Sequence, residues 1–530
     1  MRPARWFSLV LLLAPLAAVL LVVGQRVPRP ADRPEHPELT GRVRDAHGPV
    51  ADALVRFQGQ RLFSRTDAQG RFRLPRFPAS PARVTAWKEG YFIAGAEADS
   101  SVLLRLTPLP KEDDPDYAWV DPTPDPTARH NCGNCHGEIH REWAGSAHAR
   151  AATGRHFLNL YDGSDWHGRP GAGWSLLDQH PDGAGVCTAC HAPSVRPADP
   201  AYFDLRLARG VAAQGVHCDY CHKVADAGLG TLGLTFGQFG LKMLRPAGGQ
   251  LFFGPLDDVD RGEDAHAPLY RESRYCASCH EGTIFGVPVY TTYSEWLASP
   301  ARAHGKQCQD CHMKPTGRLT NLAPGKGGIE RDPWTLGNHR FFAGSLEEML
   351  RDSLRLEVEA VRASGCVRVP IALEAERVGH CVPTGFIDRQ LLLVVDGVDA
   401  NGRRHAASRS PLLPAAAGQE LSGRAGLLFA RLLRDAEGRA PVPFWQAGST
   451  LTDTRLIPGR REQAVFLFPA EVERVRVRLI YRRFWKEVAE AKRWPDDDVT
   501  IIDRAVSVRP IPFSGEPQAT APQRSPAAPR

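Results

Sequence analysis

The chain has 530 residues, with 66 Lys and Arg against 60 Asp and Glu for a net charge of +6. That length allows about three or four domains, and 42% hydrophobic content with 49 Gly, 44 Pro and 4 Met describes a loop-rich chain poor in long helices. The positive excess is not gathered into a basic cluster interleaved with aromatics, which excludes nucleic acid as a partner.

The N-terminus reads as a targeting segment. Met1-Arg2-Pro3-Ala4-Arg5 is a short basic region, an apolar run follows from Phe7 to Val23, and small residues precede a cleavage point near Gln25. Residues 1–24 are therefore expected to be a cleaved signal peptide or an uncleaved inner-membrane anchor, the 17-residue run lying at the lower limit for a span. Either form exports the body of the protein. Residues 25–37, rich in Pro and Arg, read as a linker.

From 38 to 109 the pattern becomes short alternating segments. Leu39–Arg44, Ala53–Phe57, Phe63–Thr66, Phe72–Leu74, Val84–Trp87 and Val102–Leu106 are expected strands, separated by turn signals at His47-Gly48-Pro49, Asp67-Ala68-Gln69-Gly70 and Glu89-Gly90. The run Thr66-Asp67-Ala68-Gln69-Gly70-Arg71-Phe72, with Gly41 and Gly48-Pro49-Val50 before it, resembles the carboxypeptidase regulatory-like β-sandwich. That resemblance implies seven strands and a non-catalytic, contact-making role. Residues 110–128, charged and Pro-rich, read as a second linker.

The region 129–345 carries the chemistry. Cys-x-x-Cys-His occurs at Cys132-Cys135-His136, Cys187-Cys190-His191, Cys218-Cys221-His222, Cys276-Cys279-His280 and Cys308-Cys311-His312. This is the attachment signature of c-type haem, in which two thiols add to the porphyrin vinyl groups and the adjacent imidazole binds iron. Chance gives on the order of 0.01 such strings in a chain of this composition. Zinc sites, a redox dithiol and a disulfide framework do not require His after the second Cys every time. Five covalently attached haems c are expected, and the Arg-rich charge excess suits pairing with their propionates.

Gaps from motif His to next motif Cys are 51, 27, 54 and 28 residues. The alternation suggests that haems two and three, and haems four and five, form equivalent close pairs, with the first haem inserted separately. Glu142-Trp143-Ala144-Gly145-Ser146 also returns as Glu295-Trp296-Leu297-Ala298-Ser299, and Gly215–Lys223 parallels Gly305–Lys314.

Each iron needs a sixth ligand or an open position. Of 19 His, 14 lie outside the motifs and 11 of those fall between His130 and His380, so supply is ample. His148 stands twelve residues past a proximal His; His217 precedes Cys218; His339 lies just past the last motif; His380 sits in the Pro- and Gly-shaped turn Gly379-His380-Cys381-Val382-Pro383-Thr384-Gly385. His266 is chosen for the fifth place over His304, His140 and His130. Residues 128–390 resemble the multihaem family that includes the tetrahaem cytochrome c carrier of ammonia-oxidising bacteria, through Glu142-Trp143-x-x-Ser146-x-His148, Gly215–Lys223, Cys308–Met313 and Gly379-His380-x-x-Pro383-Thr384-Gly385. The resemblance implies His148, His339 and His380 as distal ligands. The fifth motif, Cys381 and the flanking β domains depart from it.

Ser345-Leu346-Glu347-Glu348 has capping-box form and predicts a short helix. Residues 346–510 then read as a β-rich domain that lends a haem ligand, with strands at Leu354–Val361, Cys366–Val378, Leu391–Val398, Ala464–Phe468 and Val475–Tyr481. A bridge between Cys366 and Cys381 is expected from the oxidising compartment, worth about 3 kcal/mol by chain entropy. Residues 511–530 read as a disordered tail.

The fold expected is thus an N-terminal β-sandwich, a loop-rich and α-helical pentahaem cytochrome c domain, and a C-terminal β-rich domain. The function expected is a periplasmic electron relay through bis-His haems, between periplasmic or membrane donors and acceptors. The alternative is an oxidoreductase acting on a small nitrogen or sulfur compound at one open-face haem.

Overall fold

The computed structural model describes residues 38–510 apart from 76–81, 100, 183–184, 197–202, 229, 231, 343 and 447. The expected targeting segment 1–24, linker 25–37 and disordered tail 511–530 lie outside the described residues. Among the described residues no helix is long and apolar enough to cross a membrane.

Seven strands open the structure: Leu39–Arg44, Leu54–Phe57, Phe63–Arg65, Arg71–Leu74, Arg83–Trp87, Ala94–Glu97 and Ser101–Arg105. The first pairs with the fourth and seventh, while the second, third, fifth and sixth form the other sheet. Strict alternation of buried and exposed residues along Leu39–Arg44 and Ser101–Arg105 turns Leu39, Val43, Val102 and Leu104 inward against Val55, Phe57, Phe72 and Val84. Ala94–Glu97 was not expected as a strand, because Ala-Gly-Ala-Glu lacks the β-branched and aromatic residues that mark one. It pairs with Arg83–Trp87 alone. Its glycine has a purpose: a Cβ on Gly95 would meet Asp260 Oδ2 at 2.2 Å.

Asp260 belongs to an acidic run through which the sandwich docks on the following domain. Arg56 pairs with Asp257 at 2.8 Å, Arg83 Nε donates to Asp260 at 2.8 Å, and the Gly59 amide donates to Asp258 at 2.6 Å. The Ile93 amide donates to the Asp264 carbonyl at 2.9 Å. The connector is equally engaged. Tyr117 O–H and the Val120 amide donate to Asp219, and Trp119 Nε1 donates to the Ser194 carbonyl at 3.1 Å. Asp219 also pairs with Lys223, one turn further on, and neither side chain has exposed surface. Lys223 stands 4.0 Å from the Phe252 ring centroid, so the buried ammonium is held by a carboxylate and an aromatic face together.

The C-terminal domain is a second sandwich. One sheet centres on Cys366–Ala375, flanked by Leu354–Val358 and Val361–Ala363 on one side and Arg461–Pro469 on the other. The other runs Thr450–Asp453, Gly426–Arg434, Gln390–Val398, Arg474–Arg482, Val499–Ser507, with the short Arg404–His405 beside Gln390–Val398. Gln390–Val398 is buried at eight of nine positions, because Leu391, Leu393 and Val395 face the sandwich core while Leu392 and Val394 face Leu413, Ala417 and Leu421. A third apolar cluster joins this domain to residues 152–205: Leu160, Tyr161 and Leu176 pack with Trp445, Trp485 and Trp494. Lys492 Nζ donates across that seam to the carbonyls of Asn159 and Trp174 at 2.7 and 2.6 Å.

The expected capping box is present. Ser345 Oγ accepts the Glu348 amide at 3.1 Å, Glu348 accepts the Ser345 amide at 2.8 Å, and the helix Leu346–Asp352 follows. Ser345→Ala is expected to lower stability by about 1 kcal/mol in denaturant unfolding; an unchanged midpoint would show that the cap contributes nothing.

The expected Cys366–Cys381 bridge is absent, and both residues are free thiols. Cys366 starts a ten-residue strand, which spans roughly 30 Å. Cys381 lies beyond the other end, where Val382 pairs with Leu456 and Ala375 with Pro458. A disulfide needs Cα atoms within about 7 Å.

Candidate haem centres

Each motif is folded on one helical turn: Cys132–Asn134 as a 3-10 turn, then Gly185–His191, Cys218–Cys221, Arg274–His280 and Cys308–His312. A helical turn brings residues three and four apart onto one face, so both sulfurs and the imidazole of a motif address one side. None of the ten motif cysteines is paired in a disulfide. Four motif imidazoles are oriented through Nδ1 by a backbone carbonyl: His136 by Leu322 at 3.0 Å, His191 by Ala151 at 2.7 Å, His222 by Phe253 at 2.5 Å and His312 by Phe341 at 3.0 Å. A ring whose Nδ1–H is donated in this way keeps the Nε2 lone pair for a metal.

The motifs adjoin one another. Cys132 and Cys218 lie in thiol–thiol contact, as do Cys276 and Cys308, and Cys190 and Cys279. Tyr275, on the helix of the fourth motif, donates its O–H to the Cys221 carbonyl at 2.9 Å. The five motifs thus form one connected cluster, with the fourth touching the second, third and fifth. Of the pairing expected from loop lengths, four with five is found and two with three is not. The equivalent pairs are one with three and four with five, each joined through the first cysteine of both motifs, and the second motif is the inserted one.

Two non-motif imidazoles stand opposite motif imidazoles. The ring centroids of His148 and His280 are 6.2 Å apart, and those of His312 and His380 are 6.1 Å apart. Metal–imidazole bonds of about 2 Å on either side of one ion place two centroids roughly 6 Å apart. Burial pushes the pKa of His148 and His380 down to about 4, and that of His280 and His339 down to about 3, so these rings are neutral, the form that binds metal. The imidazoles that act on His339 are His222 and, less strongly, His136. These residues fit haem c: paired thiols on one face, an oriented proximal ring, and a second ring at two-ligand spacing.

His217 and His266 are placed differently. His217 is fully buried, and its Nδ1 accepts the Tyr220 amide at 3.2 Å as the cap of the third-motif helix. A neutral ring accepting at Nδ1 carries its proton on Nε2, and that Nε2 has no partner. Gln307 caps the fifth-motif helix from the matching position. His266 has Nδ1 at 3.2 Å from the Gly254 carbonyl and meets the Trp87 ring edge-on at 4.6 Å, so the N-terminal sandwich packs against it. At the second motif, His191 is stacked by Phe157, with centroids 4.0 Å apart.

Sequence reasoning missed the charged groups behind the His380 turn. Glu295 is 7% exposed and Arg455 is 6% exposed, and they pair at 2.6 Å. Glu295 also accepts the Cys381 amide at 3.0 Å and the Thr384 hydroxyl at 2.7 Å. Arg431, buried in the second C-terminal sheet, donates to the carbonyls of Pro288, Val289 and Gly385. Burial and the neighbouring Arg455 push its pKa down to about 10. Gly379 allows the close approach of this turn, since a Cβ there would lie 3.1 Å from Trp296 and 3.3 Å from Ala301. The repeated Glu-Trp-x-x-Ser was the available signal for Glu295; nothing local marks Arg431 or Arg455.

No protein-family model matches the chain, and no curated protein matches it. Among solved structures, the chain is similar to a penta-heme cytochrome c552 from Thermochromatium tepidum, with 22% identity over 71% of this chain and 97% of that chain and a TM-score of 0.49. A weaker likeness, to the Fcho1 Mu homology domain of Danio rerio with bound Eps15 peptide, has 15% identity, covers 30% of this chain and 48% of that chain, and has a TM-score of 0.12. Likenesses at that level assign no function by themselves.

Proposed function

We propose that the protein is an exported pentahaem c-type cytochrome that relays electrons between periplasmic or membrane redox partners. The observation that carries the reading is the contact cluster of Cys-x-x-Cys-His motifs, because attachment points that touch hold their porphyrins within electron-transfer range of one another. The chain's own residues bind the groups through thioethers and proximal His136, His191, His222, His280 and His312. His148 and His380 are the distal ligands opposite His280 and His312, and His339 is a third distal ligand. Bound haem supplies the one-electron couple, and the protein tunes it through axial ligation, burial and second-shell hydrogen bonds. Export, whether by a cleaved segment 1–24 or with that segment kept as an inner-membrane anchor, belongs to this proposal.

One observation favours the second reading, an oxidoreductase for a small nitrogen or sulfur compound. Among the described residues, three non-motif imidazoles are assigned to five motifs, and the ring packed on His191 is Phe157, which makes the inserted second motif one place for an open-face haem.

A pyridine haemochrome assay on the purified protein is expected to give five haems per chain. The relay reading expects an oxidised spectrum of low-spin haem only, and no change when carbon monoxide is added after reduction. Fewer than five haems would sink the cofactor assignment. A high-spin component that binds carbon monoxide would replace the relay by the second reading.

A further inference from the structure

We propose that the duplicated Glu-Trp-x-x-Ser element is a ligand-positioning clamp, in which Glu142 and Glu295 hold the loops that carry His339 and His380. The inference rests on the reading of those two histidines as distal ligands. Each copy ends a short helix, Gly137–Ala144 or Thr292–Leu297. Each tryptophan is buried, and each indole N–H donates to a backbone carbonyl at 2.9 Å: Trp143 to Val216, Trp296 to Lys306. Both carbonyls belong to the residue two places before the first cysteine of a motif, the third and the fifth.

The glutamates reach the other way. Glu142 Oε2 accepts the His339 amide at 2.8 Å, and Glu295 Oε2 accepts the Cys381 amide at 3.0 Å. Both carboxylates have side chains 7% exposed, and both face an arginine, Arg340 at 3.3 Å and Arg455 at 2.6 Å. One helical turn therefore grips the attachment segment of a motif through its Trp and the distal loop through its Glu. For the third motif these are the His222 and His339 sides; for the fifth, the His312 and His380 sides. A rigid element bonded to both sides fixes the gap between two imidazoles, which flexible loops alone would not. It also fixes a carboxylate beside each distal ligand, and negative charge there favours the ferric state.

The test uses the full-length holoprotein and resolves individual haems by potentiometric titration followed by electron paramagnetic resonance. His339→Gly and His380→Gly identify the two haems concerned, each turning one component high-spin. Glu142→Gln keeps the shape and removes the charge; it is expected to shift upward the potential of the His339 haem alone, with that haem still low-spin. Glu295→Gln is expected to do the same to the His380 haem. A merely structural role would lower the unfolding temperature and leave the potentials in place, which overturns the clamp. A shift at any other haem overturns it too. If the His variants stay fully low-spin, the ligand reading itself fails and the clamp with it. Should the Glu variants not fold, hydrogen exchange on the wild-type protein decides: the amides of His339 and Cys381 are expected to be protected, and exchange at free-loop rates overturns the proposal.

Discussion

His148→Gly, His339→Gly and His380→Gly are each expected to convert one low-spin haem to high-spin, a different haem in each variant. The spacing sets the expectation: 6.2 Å between the rings of His148 and His280 and 6.1 Å between those of His312 and His380 suit two nitrogens on one ion. Both distal rings are buried and neutral, with pKa held down to about 4, so neither needs to lose a proton to bind iron near neutral pH. Loss of the side chain opens a cavity of imidazole shape, and added imidazole is expected to restore the low-spin spectrum. His217→Gly is the contrasting case. Its Nδ1 serves as a helix cap, so all haems are expected to stay low-spin while the loss of the cap to glycine lowers stability by roughly a few tenths of a kcal/mol. Electronic absorption and paramagnetic resonance of the oxidised proteins check all four. A high-spin haem in His217→Gly, or none in His380→Gly, would reverse the assignment of those two residues.

The difference between these histidines marks how far the sequence could be read. A Cys-x-x-Cys-His motif is complete within five residues, so each one is visible in the spacing alone. A distal ligand is chosen by tertiary approach. His217 beside Cys218 and His380 some 68 residues after His312 look equally eligible in one dimension, and only packing sets the helix cap His217 apart from His380, whose ring faces that of His312. Loop lengths pair motif two with three, whereas contact pairs one with three; both pair four with five. The Glu-Trp-x-x-Ser copies mark the true repeat, one before an insertion that carries the second motif and one without it. Strands with clean alternation, such as Leu39–Arg44, were legible. Gly426–Arg434 was not, because both its faces are covered and its apolar run does not alternate. The Cys366–Cys381 bridge failed for the converse reason, since 15 residues of sequence hide an extended strand that holds the two ends apart.

Arg455→Met is expected to destabilise the protein by about 3–5 kcal/mol, the cost of leaving a buried carboxylate without its partner. Arg455 reaches from the C-terminal sandwich to Glu295 at 2.6 Å and to Asp453 at 2.7 Å, with its side chain 6% exposed. Burial works against its charge, and Asp453 with Glu295 outweighs that and holds the guanidinium charged. Its partner Glu295 is bonded to the Cys381 amide, the Thr384 hydroxyl and Thr291, so the variant loosens the turn that presents His380 as well as the domain seam. Two readouts should move together in a thermal ramp: the unfolding midpoint falls, and the His312–His380 haem loses its low-spin signal before the others. Adding Glu295→Gln to Arg455→Met should recover much of the loss, because the buried charge is then gone and the remaining partner, Asp453, has a side chain 41% exposed that water can solvate. A loss below about 1 kcal/mol would class the pair with exposed ion pairs and would separate the C-terminal domain from the ligation of the fifth haem. Arg431 sets the lower bound on that separation: its bonds to the Pro288, Val289 and Gly385 carbonyls need no carboxylate, so they persist in either variant and keep the two domains in register while the ligand turn alone responds.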